Sequence, residues 1–123
     1  MSLDFVPLKG MFGLMMRKRV LFLCSQNKLR SPTAEAIFAD HPTVEVDSAG
    51  LNNDAVVPLS EEQVRWADLI LVMEKARRNR LNRKFRNALG GKRVAVLNIP
   101  DNYDYMDAEL VVLLRQRCAA YLP

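Results

Sequence analysis

The stretch of this chain best equipped for chemistry is Cys24-Ser25-Gln26-Asn27-Lys28-Leu29-Arg30, followed at once by Ser31-Pro32. Cys24 closes the apolar run Val20-Leu21-Phe22-Leu23, which reads as a buried parallel strand, and a helical pattern opens at Ser31-Pro32. A short loop between a strand end and a helix start gathers backbone N–H groups and the positive end of a helix dipole around one point. Such a point favours a phosphate. Arg30 adds a planar guanidinium that grips two phosphate oxygens at once. The same positive field favours the thiolate of Cys24, the form in which a cysteine attacks. Nucleophile and phosphate cradle in one loop imply phosphoryl transfer through cysteine. By itself the spacing is more often that of a small buried hydrophobe near an unrelated arginine, so the surrounding elements must decide.

Those elements alternate. The short stretches Arg19–Leu23, Val44–Asp47, Leu69–Met73 and Arg93–Ile99 are expected strands, and 32–40, 61–67, 75–89 and 107–122 are expected helices. Alternation of this kind predicts an α/β fold, with a parallel sheet covered on both faces. The runs Leu69-Ile70-Leu71-Val72-Met73 and Val94-Ala95-Val96-Leu97 are nearly unbroken, as doubly buried strands require. Ser31 is the expected N-cap of the first helix, with Pro32 at its first position. Gly90-Gly91 ends the basic helix, whose apolar stripe is Leu81, Phe85 and Leu89. In open parallel sheets ligands bind beyond the carboxyl ends of the strands. Cys24 lies there, and the fourth strand delivers Pro100-Asp101-Asn102-Tyr103 to the same edge.

The chain has 123 residues, enough for one domain with one core, and half of them are apolar. Residues 1–17 are expected to be a flexible extension, or the product of a start assigned too early at Met1 rather than Met11, Met15 or Met16. Residues 18–123 are expected to form the single domain. No apolar stretch approaches the roughly 20 residues of a membrane span, so no membrane association is expected. Cys24 and Cys118 stand far apart without a signal peptide, which suggests reduced thiols and a cytoplasmic location. Cys118 fits the apolar stripe of the last helix and is expected to be structural. His41 is the only histidine, so neither a metal site nor a Cys–His pair is expected, and no cofactor. The net charge of +4 is concentrated between Lys75 and Arg93. That stretch lacks interleaved aromatics, so a solvated helix face is favoured over nucleic-acid binding.

At this point the chain resembles the low-molecular-weight protein tyrosine phosphatase family. The family's loop reads Cys-x-Gly-Asn-x-Cys-Arg-Ser-Pro, and Cys24 to Pro32 is similar to it. So are Ala34-Glu35-Ala36, Ser48-Ala49-Gly50, Ala67 to Met73, and Pro100-Asp101-Asn102-Tyr103. The resemblance implies a three-layer α/β/α fold of the phosphotyrosine protein phosphatase I type (Rossmann/flavodoxin-like), with a four-stranded parallel sheet. It implies that Cys24 forms a phosphocysteine while Arg30 and the loop from Ser25 through Gln26, Asn27, Lys28 and Leu29 bind the phosphoryl oxygens. Ser31 would bond the Cys24 thiolate, Asn27 would lock the loop with Ser48 as its partner, and Asp101 would be the general acid, with Asp104 as substitute. The implied substrate is a phosphorylated protein or small aryl phosphate. A thiol-dependent arsenate reductase, or a phosphate- or RNA-binding module without turnover, are the alternatives on this fold. Five departures stand out: Gln26 for the loop glycine, Leu29 for the second cysteine, Lys28 at the pocket mouth, Asn102 where the acid loop has its second proline, and a short segment after Gly50.

Overall fold

Four parallel strands, β1 (Lys18–Cys24), β2 (Val44–Gly50), β3 (Leu69–Val72) and β4 (Arg93–Val96), form one sheet in the order β2-β1-β3-β4. The structure, a computed structural model, describes residues 17–123. The expected extension over 1–17 lies, but for Arg17, outside the described residues. Helices α1 (Arg30–Phe38), α2 (Glu61–Trp66), α3 (Lys75–Lys84), α4 (Arg86–Leu89) and α5 (Ala108–Cys118) complete the fold.

Strand alternation divides the core. Val20, Phe22 and Cys24 of β1 join Leu69, Leu71, Phe38, Leu110, Leu114 and Cys118 on the face covered by α1 and α5. Leu21 and Leu23 join Ile70, Val72, Val64, Leu81, Ala88 and Leu89 on the face covered by α2, α3 and α4. Every residue from Val20 to Leu23, and from Ile70 to Met73, is fully buried. The central strands are therefore continuous apolar runs, and their period-2 alternation sorts two chemically similar faces. The three-layer α/β/α expectation stands.

Several boundaries differ from the sequence reading, each for a local reason. Helix α1 starts at Arg30 and has no side-chain cap, so Ser31 is not its N-cap. The Ser31 hydroxyl is engaged with Cys24 instead. The expected helix over 75–89 breaks at Phe85 (φ −124°, ψ 33°) into α3 and α4, and Ala88 and Leu89 pack in the core beyond that break. The fourth strand stops at Val96 rather than Ile99, because Asn98 turns left-handed at φ 57°. Even so, Leu97 N–H and Ile99 N–H still donate to Val72 O and Met73 O. Gly90 caps α4 in the left-handed region, and Ser60 caps α2 in a reciprocal box with Gln63.

Candidate active site

Position at the sheet's carboxyl rim is what makes Cys24 available. It pairs with Gly50 at the last rung of the β1–β2 ladder, and the chain then leaves the sheet to form the loop. The loop is held from outside by its own neighbour in space. Leu51 N–H donates to Cys24 O, Asn52 N–H to Ser25 O and Val56 N–H to Gln26 O. With three carbonyls bound outward, the loop's N–H groups are left for the opposite side. Gly50 permits this wrapping. A Cβ there would lie 2.6 Å from Ser25 O and 2.5 Å from the Ala55 Cβ, distances no side chain tolerates.

One network of buried polar groups orients the sulfur. Ser48 Oγ donates to Glu35 Oε1 at 2.5 Å, so it must accept from Asn27 Nδ2 at 2.9 Å. That fixes the Asn27 amide with its nitrogen inward, where its second hydrogen goes to Ser31 Oγ at 3.0 Å. Ser31, having accepted from Asn27, turns its own hydrogen to Cys24 Sγ at 2.9 Å. The backbone N–H of Asn27 also donates to the sulfur, at 3.2 Å. Two donors thus converge on Sγ. Asn27 reaches this geometry with φ 55°, a left-handed conformation that asparagine adopts more readily than most side-chain-bearing residues. Gln26 has no positive φ, so its side chain in place of glycine costs no backbone strain.

Arg30 is 2 % exposed and is hydrogen-bonded at one end. Its Nη1 donates to Glu74 Oε1 at 2.8 Å and to Ile99 O at 2.7 Å. On its other edge, Nε lies 3.5 Å from Asp101 Oδ1. Burial of a guanidinium demands acceptors on both edges. An acid that is 62 % exposed is the one of these partners free to give way. The arrangement presents an Nε-side fork that an incoming phosphate can take from Asp101.

The structure therefore brings Cys24, Asn27, Arg30, Ser31 and Ser48 into one buried cluster, with Ser25, Gln26, Lys28 and Leu29 completing the loop and Asp101 at its rim. Asp104 makes no ion pair with Arg30. Sequence reasoning missed the parts of Glu74, Glu35 and Thr33. Thr33 Oγ1 donates to Leu29 O at 2.6 Å and accepts from Met106 N–H at 2.9 Å. It thereby ties the cysteine loop to the segment that follows Asp101. Among the described residues, no group of three His, Cys, Asp or Glu is placed to hold a metal, and no helix is long and apolar enough to cross a membrane.

The family described as low molecular weight phosphotyrosine protein phosphatase matches residues 19–58. Solved structures share the fold, among them the following three. The tyrosine phosphatase Wzb from Escherichia coli K30, in complex with phosphate, is 22 % identical, with a TM-score of 0.70 over 86 % of this chain and 96 % of its own. The low molecular weight protein tyrosine phosphatase SP-PTP from Streptococcus pyogenes is 17 % identical, with a TM-score of 0.70 over 85 % and 90 %. The YwlE arginine phosphatase from Geobacillus stearothermophilus is 24 % identical, with a TM-score of 0.64 over 84 % and 91 %. No curated protein matches by sequence.

Proposed function

We propose that the chain is a phosphomonoesterase of the low molecular weight phosphotyrosine protein phosphatase family that works through a phosphocysteine, a reading supported by the family match over residues 19–58 and by the fold shared with solved phosphatases. The observation that carries the proposal is the pair of donors on Cys24 Sγ, at 2.9 and 3.2 Å, beside an arginine anchored at one edge by Glu74 and Ile99 and paired at the other with the exposed Asp101. The Cys24 thiolate attacks phosphorus and the P–O bond to the leaving group breaks. Asp101 gives its proton to the departing oxygen. Arg30 and the N–H groups of the loop from Ser25 to Leu29 hold the phosphoryl oxygens throughout. In the second step Asp101 takes a proton from water, the water oxygen attacks phosphorus, and the P–S bond breaks. Phosphate leaves and the thiolate returns. Ser31, Asn27, Ser48 and Glu35 keep the sulfur and the loop in place.

The substrate class is a phosphorylated protein side chain or a small aryl phosphate. Phosphotyrosine is the first candidate and phosphoarginine the second, in keeping with the activities named for the structural neighbours. Two free thiols suit a reducing cytoplasm. Arsenate reduction is not favoured. Its thiol relay has no second thiol in the loop, where Leu29 stands, and Cys118 is fully buried in the core. Substituting Cys24→Ser tests the proposal. Turnover of an aryl phosphate is expected to vanish while phosphate still binds, because the cradle is Arg30 and backbone. Turnover at the wild-type rate would overturn the covalent route.

A further inference from the structure

The first turn of helix α1 ties down both ends of the segment that carries Asp101. Arg30 and Thr33 lie three residues apart there, on one face of the helix. Arg30 Nη1 donates to Ile99 O at 2.7 Å, just before Pro100-Asp101. Thr33 Oγ1 accepts from Met106 N–H at 2.9 Å, on the far side of Asp101. Ile99 is fixed a second time, since its N–H donates to Met73 O at 2.9 Å. Beyond Met106 helix α5 begins at once, with Asp107 accepting from Glu109 N–H at 2.8 Å as its N-cap and Leu110 fully buried.

Between these ties packing does little to place the chain. Asp101, Asn102, Asp104, Tyr105 and Met106 are exposed, while Tyr103 packs against the core. A segment with few buried contacts is placed by its polar ties and opens readily when one is cut. Met106 also has φ 60°, a left-handed conformation that a residue with a side chain enters at a cost and keeps only where its surroundings dictate it. Its N–H is aimed at Thr33 Oγ1, and that oxygen is itself oriented. The Thr33 hydroxyl gives its hydrogen to Leu29 O at 2.6 Å, a carbonyl that can only accept. Its lone pairs are left for Met106. Thr33 is fully buried, so this hydroxyl joins the last residue of the phosphate loop to the far end of the acid segment.

We infer that Thr33 is a positioning residue for the general-acid step: through Met106 it sets where Asp101 stands when the leaving group departs. The inference rests on the phosphomonoesterase reading and deepens it. When a phosphoryl group takes the Nε edge of Arg30, Asp101 loses the partner it has there at 3.5 Å. The acid must then be held over the departing oxygen by its backbone, between Ile99 and Met106. Proton transfer needs the carboxyl within hydrogen-bond reach of that oxygen. Without the Thr33 hydroxyl the far end of the segment hangs on α5 alone, and the acid spends less time in reach.

The test removes the hydroxyl in Thr33→Val and compares kcat/KM for p-nitrophenyl phosphate and phenyl phosphate. The ratio of the first to the second is expected to rise about tenfold over the wild type, one hydrogen bond expressed as a rate. An unfolded fraction, or a change in the cradle through Leu29, falls on both esters alike and cancels. Thr33→Ser, which keeps the hydroxyl, is expected to keep the wild-type ratio. Added to Asp101→Asn, Thr33→Val is expected to move the ratio no further, because the acid it positions is gone. A ratio unmoved by Thr33→Val, raised equally by Thr33→Ser, or raised again on top of Asp101→Asn overturns the inference. Amide hydrogen exchange of the peptide spanning Asp101 to Met106 reads the same tie without turnover. Faster exchange in Thr33→Val than in the wild type and Thr33→Ser is expected, and equal exchange in all three rejects the tie. A wild type that hydrolyses neither ester, with exchange still faster in Thr33→Val, would reject the phosphatase reading while the tie stands.

Discussion

Cys24 and Cys118 are both buried, at 3 % and 0 % exposure, and both lie on the same face of the sheet. Their surroundings are nonetheless opposite. Cys24 ends a strand at the rim, receives hydrogen bonds from Ser31 and Asn27, and faces a loop that leads to Arg30. Cys118 ends α5 among Phe22, Leu110 and Leu114, and burial alone pushes its thiol up to about 12. Burial as such does not decide whether a thiol is reactive. The number of donors aimed at the sulfur does.

The contrast is most exposed to failure at the rim acid, which only the Cys24 environment possesses. In Asp101→Asn, cleavage of phenyl phosphate is expected to fall by about 10²–10⁴, because phenolate needs a proton to leave. p-Nitrophenyl phosphate is expected to lose much less. KM is expected to fall in the same variant, since the neutral amide no longer competes as a charge for the Nε edge of Arg30, which lies 3.5 Å from Asp101 in the native protein. Steady-state kinetics on the two substrates checks both effects. An equal loss on both would make Asp101 structural and leave Asp104 as the acid to test.

Alkylation puts the two thiols in direct competition. Iodoacetamide at neutral pH is expected to label Cys24 well before Cys118, with inorganic phosphate protecting Cys24, as peptide mass spectrometry of the native protein would read. Equal labelling would contradict the assignment of roles.

The smallest expected effect belongs to Cys118 alone. Its folded-state thiol holds a proton up to about pH 12, whereas an unfolded thiol loses it near about 8.5. The folded state therefore binds more protons between those values, and stability must fall as pH rises through that window, by up to about 1.4 kcal/mol per pH unit. Denaturant titrations at rising pH are expected to show this slope in the wild type and to lose that component in Cys118→Ala.

Much of this molecule is legible in its sequence. The strand positions are plain because the doubly buried part of a parallel strand must be apolar, as Val20 to Cys24 of β1 and all of β3 are. The loop is plain because strand, cysteine, arginine and Ser-Pro stand in sequence order. What escapes such a reading depends on contacts distant in sequence. Glu74 shows nothing in its own neighbourhood of holding Arg30, 44 residues away. Thr33 gives no sign of pinning Met106, and Leu51 to Val56 gives none of wrapping the loop. Ser31 resembles a cap because serine before a helix is usually one, and here the demand of a sulfur for a donor overrides local propensity. The break at Phe85 is likewise a tertiary outcome, since the local sequence is helical on both sides.

Everything above turns on Cys24, and not a water held in the cradle, attacking phosphorus. Rapid mixing of the protein with p-nitrophenyl phosphate, a denaturing acidic quench and intact-mass analysis test this directly. The expected result is one added phosphoryl group, mapping to the peptide that contains Cys24 and absent from Cys24→Ser. Sustained hydrolysis with no phosphorylated protein at any quench time, together with turnover in Cys24→Ser, would contradict it.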